Sequence, residues 1–166
     1  MKVLKRLFGK DDRDEWRPLY GAIVAEARRP EWYSGAGVPD TVDGRFDMLA
    51  LVLSLAMIRL EREGAWGREA SARLAELFVD DMDAHMRQWG VGDVVVGKKV
   101  GGLMGALGGR LGAYRGADRR EALIRNLYRG ETPAPAQLAV AEAMTGALEG
   151  GLAIVPREAL KEGRLG

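Results

Sequence analysis

The stretch RFDMLALVLSLAMIRLERE, Arg45 to Glu63, is apolar on nearly every side. Phe46, Met48, Leu49, Leu51, Val52, Leu53, Leu55, Met57, Ile58 and Leu60 leave no polar stripe for water to cover. A helix that is apolar all round belongs inside a protein or a membrane. The longest uncharged run here, Met48 to Ile58, has eleven residues. As a helix it covers about 17 Å, against roughly 30 Å of hydrocarbon. The stretch therefore predicts a buried central helix that other helices must cover.

Those helices can be read outward from it. Trp16, Leu19, Tyr20, Ile23, Val24 and Ala27 recur at spacings of 3 and 4 and predict an amphipathic helix over Glu15 to Arg28, with Pro18 near its first turn and Pro30 as its stop. Gly35, Gly37, Pro39 and Gly44 give the next segment loop composition, and Asp43 is placed to cap the central helix. Beyond a break at Gly64 to Gly67, Leu74, Leu77, Phe78, Met82, His85, Met86 and Trp89 form one stripe that Gly90 ends. Val94 to Val96 reads as an extended connector. Val100, Leu103, Met104, Leu107, Leu111 and Tyr114 form another stripe, and Leu123, Ile124, Leu127 and Tyr128 a further helix. Past Pro133 and Pro135, Leu138, Ala141, Met144 and Leu148 suggest one more, ended by Gly150-Gly151. The expected fold is all-α: a single irregular helical domain of about six or seven helices, residues 15–166, behind a basic tail, residues 1–14.

The 166 residues are 47% hydrophobic and 30% charged, which suits one folded core and excludes a disordered chain. With no cysteine, disulfides, thiolate metal sites and cysteine nucleophiles are excluded together. The net charge of +1 hides an asymmetry: Glu76 to Asp93 carries five acids and one arginine, Arg110 to Arg129 six arginines and two acids. Two readings are open. The two segments attract each other within the domain or are simply solvated, or the basic face meets RNA or an acidic partner. In the tail, Val3, Leu4, Leu7 and Phe8 share a helical face, with Lys2, Lys5, Arg6 and Lys10 mostly elsewhere. A weak membrane-surface helix and a frayed basic end both fit that pattern.

Catalytic chemistry is hard to assemble from these residues. GDVVVGKK, Gly92 to Lys99, resembles a phosphate loop until its last position, where Lys99 replaces the hydroxyl that would hold magnesium. Asp81 and His85 could share one helix face toward a metal, but two ligands leave the ion under-coordinated. Ser34, Ser54 and Ser71 sit in no nucleophile-elbow context. The expectation is a protein that is not an enzyme and carries no cofactor or metal. The oddest feature is a run of glycines: Gly101, Gly105, Gly108 and Gly112 line one helical face, and with Gly102 and Gly109 they cost a helix on the order of 5 kcal/mol relative to alanine. Either a helix of the same domain packs into this groove, the favoured expectation, or a partner does.

Two blocks are recognisable. YGAIVAEARRPEWYSGAGVPDTVDGRFDMLALVLSLAMIRL, Tyr20 to Leu60, and LFVDDMDAHMRQWGVGDVVVGKKV, Leu77 to Val100, followed by Gly109-Arg110 and Ala113-Tyr114, resemble the ubiquinol-cytochrome c chaperone family, alpha-proteobacterial relatives of a mitochondrial cytochrome b assembly factor. The resemblance implies an all-helical, non-catalytic protein that binds newly made cytochrome b and holds it for haem loading and assembly of ubiquinol-cytochrome c oxidoreductase. The alternative is a general helical adaptor for a soluble partner. The resemblance further implies a cytoplasmic protein, at most peripheral at the inner face of the membrane through residues 1–10, with no DNA partner. In mitochondrial relatives it implies a small partner protein and the ribosomal exit region.

Carried over residue by residue, the family motifs fall on Arg28, Pro30, Trp32, Tyr33, Pro39, Asp40, Asp43, Arg45, Asp47, Asp81, Asp83, Arg87, Gly90, Asp93, Lys98, Arg110 and Tyr114. The expected partner-binding residues are Trp32, Tyr33, Lys98 and Arg110, taken as exposed, with the face of Gly101, Gly105, Gly108 and Gly112. Arg28, Pro30, Asp40, Asp43, Arg45, Asp81, Asp83, Arg87, Asp93 and Tyr114 are the expected structural set. Within the motifs, Arg45, Arg87 and Arg110 are each suited to pair with an aspartate. Three positions depart from the family: Val52 where a histidine is common, Gln88 where glutamate is, and Leu107-Gly108 where an aromatic pair is.

Overall fold

The computed structural model describes residues 12–88, 90 and 92–166, with the side chains of 93–97 outside that description. The basic face of residues 1–10 and Trp89 lie outside the described residues. After a 3-10 turn at Asp14–Trp16 the helices run α1 (Arg17–Ala27), α2 (Pro30–Ser34), α3 (Val42–Leu60), α4 (Gly64–Gln88), α5 (Asp93–Arg115), α6 (Arg119–Leu127), α7 (Pro135–Ile154) and α8 (Arg157–Lys161). Six are long and two, α2 and α8, are single turns. The described residues contain no strand, so the all-α expectation holds.

α3 is the central helix. Every residue from 48 to 57 is buried, and α1, α4, α5, α6 and α7 all pack against it. Arg59, near its end, donates to the carbonyls of Leu152 (2.8 Å) and Val155 (3.0 Å), which seats the C-terminus of α7 on α3. Burying polar Ser54 and charged Asp47 on this helix demands partners, and Asp47 has them.

Several local expectations are corrected. Thr41, not Asp43, caps α3: its hydroxyl accepts from the Gly44 N–H at 3.0 Å. The first turn lies so close to Pro39 that a Cβ on Gly44 would sit 1.8 Å from the Pro39 carbonyl oxygen, so only glycine lets the cap fall this early. Gly64 to Gly67 is no loop. Gly64 takes φ +58°, α4 starts there, and a Cβ on Gly67 would lie 1.8 Å from the Leu60 carbonyl oxygen. The two glycines make a tight α3–α4 turn.

Val94 to Val96 is helical, inside α5, not an extended connector. Helix penalties of at most about 0.7 kcal/mol per β-branched residue are easily overridden by packing of the whole helix. α7 likewise runs through Gly150-Gly151 instead of ending there. Gly151 is the place where the C-terminal backbone comes to rest, with the Leu165 carbonyl oxygen 2.9 Å from where a Cβ would be. Gly90 does take the left-handed conformation, φ +74°, that ends α4.

The tyrosines give the fold an alkaline limit. Burial first, then Asp81, pushes Tyr20 far up; burial also raises Tyr114, and raises Tyr128 to about 12. The unfolded value is about 10. A folded pKa above the unfolded one adds stability that is complete below pH ~10 and is lost as pH rises through the folded values. We expect melting temperature to be level up to about pH 9.5 and to fall above it, with tyrosinate absorbance appearing as the protein unfolds. Tyrosines that all ionise near pH 10 in a still folded chain would contradict this.

Candidate functional site

The first turns of α3, the C-terminal halves of α1 and α4, and one face of α5 enclose an open groove of about 550 Å³. Its floor is apolar, formed by Val24, Phe46, Leu49, Met82, Met86 and Leu103. Its walls carry charge: Arg28, Arg45, Arg110 and Arg129, with Asp43, Asp81 and His85. Motif residues distant in sequence meet here because α3 brings the first block against α4 and α5, which carry the second.

One wall is built around Asp47, which is 1% exposed. It accepts from Arg110 on α5 at 2.6 Å and from Arg129, just past α6, at 2.8 Å. The Arg110 guanidinium also lies 5.3 Å from the centre of the Phe46 ring. Arg129 takes φ +55°, a left-handed conformation uncommon outside glycine. Its pairing with Asp47 and, at 3.4 Å, with Asp43 holds it there. On the opposite wall Asp81 accepts from the Tyr20 hydroxyl at 2.8 Å, tying α1 to α4. His85 places Nδ1 2.7 Å from the Asp81 carbonyl oxygen and 3.2 Å from its carboxylate. Asp81 and His85 are thus adjacent, but no group of three or more potential ligands forms among the described residues.

Three of the motif arginines each pair with an aspartate: Arg45 with Asp40 (2.7 Å), Arg87 with Asp83 (2.8 Å) and Arg110 with Asp47. The first two pairs are exposed and contribute little to stability. Only the third is buried. The attraction expected between the acidic and basic segments does not form among the described residues. Arg115, Arg119, Arg120 and Arg125 pair with Glu61, Glu149, Glu142 and Glu121, not with the acids of α4. The basic segment is therefore largely neutralised by α3, α7 and its own carboxylates.

A family model for the ubiquinol-cytochrome C chaperone matches residues 34–165. The chain belongs to that family. It is also similar to a solved structure described as the crystal structure of the Cbp3 homolog from Brucella abortus, with a TM-score of 0.76 and 30% identity over 98% of this chain and 94% of that one. The comparison with curated proteins finds no match.

In this member of the family, the expected partner-binding residues do not form one surface. Trp32, expected to be exposed, is fully buried, its indole N–H donating to Glu26 at 3.3 Å. Its motif neighbour Pro30 opens α2, and this single turn swings the ring inward. Tyr33 is half-buried and donates to the Ala27 carbonyl at 2.8 Å, closing the α1–α2 corner. Tyr114 is buried with the Arg119 guanidinium 5.8 Å from its ring centre. Lys98 is exposed on α5, and the Asp93 side chain lies outside the described residues.

The favoured expectation for the glycines is overturned. Among the described residues no helix packs on them: Gly101, Gly102, Gly105, Gly108, Gly109 and Gly112 are exposed, and a Cβ on any of them would meet no described atom within 4 Å. The apolar stripe of α5 faces the core, and the glycines, on the face beside it, point outward. Sequence reading missed Arg129 as a site residue. It lies beyond the recognisable blocks, and only the tight turn after α6 carries it to Asp47.

Proposed function

We propose that this chain is a non-catalytic assembly chaperone that binds newly synthesised cytochrome b and shields its apolar helical segments during assembly of ubiquinol-cytochrome c oxidoreductase, respiratory complex III. The observation that carries the reading is the open apolar groove, walled by Arg28, Asp43, Arg45, Asp81 and Arg110 of the family motifs, in a chain of the ubiquinol-cytochrome C chaperone family. A thioether-rich floor suits such a task, because Met82 and Met86 can repack against different side chains. The side chains on one face of a helix would fill the groove while the charged walls stay wetted.

Among the described residues no helix is long and apolar enough to cross a membrane, so a membrane-protein client is met here from the aqueous side. The exposed glycine face of α5, with Lys98 beside it, is a second candidate contact, where a client helix could approach the backbone closely. The basic segment of residues 1–10 is the candidate for contact with the membrane surface or the ribosomal exit region. A small partner protein would leave the groove free by docking elsewhere.

Deleting the gene tests the proposal. Assembled, haem-stained cytochrome b is expected to fall severalfold while its transcript is unchanged, because the step is post-translational. Normal cytochrome b levels in the deletion strain would refute the function.

A further inference from the structure

The charges at the groove's rim are not all paired. Arg45 is paired with Asp40, and Arg110 and Arg129 share Asp47, with Asp43 also on Arg129. Asp81 is held by the Tyr20 hydroxyl and faces His85. Arg28, at the end of α1, is exposed and forms no ion pair with another described residue. Lys99 is in the same condition. It stands four residues before Leu103 on α5, in the row that continues through Ala106 and Arg110 along the groove. Arg28 in the groove lining and Lys99, one turn before Leu103 on α5, are thus exposed cations with no ion pair among the described residues, beside the half-buried acid Asp81.

Resting on the client reading above, we propose that the groove selects apolar helical segments that carry carboxylates at one end, Arg28 and Lys99 receiving those carboxylates while the Met82 and Met86 floor takes the apolar face. The apolar floor supplies affinity and is indifferent to which helix fills it. Rim charges supply discrimination and on-rate, because a segment ending in lysines meets two like charges there. A carboxylate at this rim costs little desolvation, since both cations are already in water. The exposed setting also makes the preference sensitive to salt.

The test uses the full chain and two fluorescent peptides, a Leu/Ala helix ending in two glutamates and the same helix ending in two lysines. At low ionic strength the acidic peptide is expected to bind about tenfold more tightly, the preference shrinking at high salt. The double variant Arg28→Glu, Lys99→Glu, altered only at exposed side chains, is expected to fold normally and to reverse the preference. Met86→Glu on the floor weakens both peptides. Equal binding of the two peptides by the unaltered chain, with Met86→Glu still weakening both, overturns the charge selection and leaves the groove as client site. Binding of neither peptide overturns the groove as well. Dodecanoate binding that depends on Arg28 and Lys99 as strongly as the acidic peptide does would make this a fatty-acid site and overturn the proposal.

Discussion

Asp47→Ala is expected to lower stability by about 3 kcal/mol, a fall in melting temperature of roughly 6–12 °C for a chain of this size. The carboxylate is 1% exposed and is the shared acceptor for Arg110 and Arg129. Removing it leaves the mostly buried Arg110 guanidinium without its counter-charge and frees Arg129 from the contact that holds its left-handed backbone. Breaking one side of a buried pair costs more than the pair contributes, because the remaining charge is stranded out of water. Arg129 is about half exposed, and water screens its share, so the lower end of the usual range applies. Asp47→Leu combined with Arg110→Met should recover much of the loss, since neither member of the buried pair is left charged out of water, while Arg129, half exposed, keeps Asp43 and solvent. Urea unfolding of the three proteins checks this. A loss below about 1 kcal/mol in Asp47→Ala would mean that the cluster does not hold α3, α5 and the turn after α6 together.

Two glycine substitutions are expected to act in opposite directions. In Gly67→Ala the new methyl group meets the Leu60 carbonyl oxygen, 1.8 Å away, so the α3–α4 turn must open. The expected cost is about 1–3 kcal/mol. In Gly105→Leu the side chain enters open space, and replacing an interior helical glycine stabilises by about 1 kcal/mol. Paired thermal melts read both signs. Client-peptide binding by Gly105→Leu then decides the role of the exposed glycine face: lost binding in a more stable protein makes it a contact surface, and unchanged binding removes it from the function.

The same pair shows how far the residues could be read alone. Both glycines lie in helices, although Gly67 read as part of a break, and nothing in the local sequence says that Gly67 is pressed against a carbonyl while Gly105 faces solvent. The helical repeat put the apolar stripe and the glycines of α5 on adjacent faces, but whether another helix covers the glycines depends on where α4 and α6 go. Trp32 illustrates the same limit. An aromatic residue in a loop-like stretch looks like a surface anchor, and the single turn of α2 buries it.

What the amino-acid order determined by itself was the class of fold, the identity of the buried helix and the family. Periodicities of 3 and 4, an eleven-residue uncharged run and two long motif blocks are local or linear signals, and they survive without knowledge of packing. Tertiary structure alone decided that Asp47 has two arginine partners, that the acidic and basic segments are neutralised separately, and that the motif residues enclose one apolar groove. Each of these depends on residues up to 82 positions apart being brought within hydrogen-bond reach, as Arg129 is to Asp47. Long-range pairing of that kind is set by how five long helices fill space around α3, and no spacing along the chain encodes it.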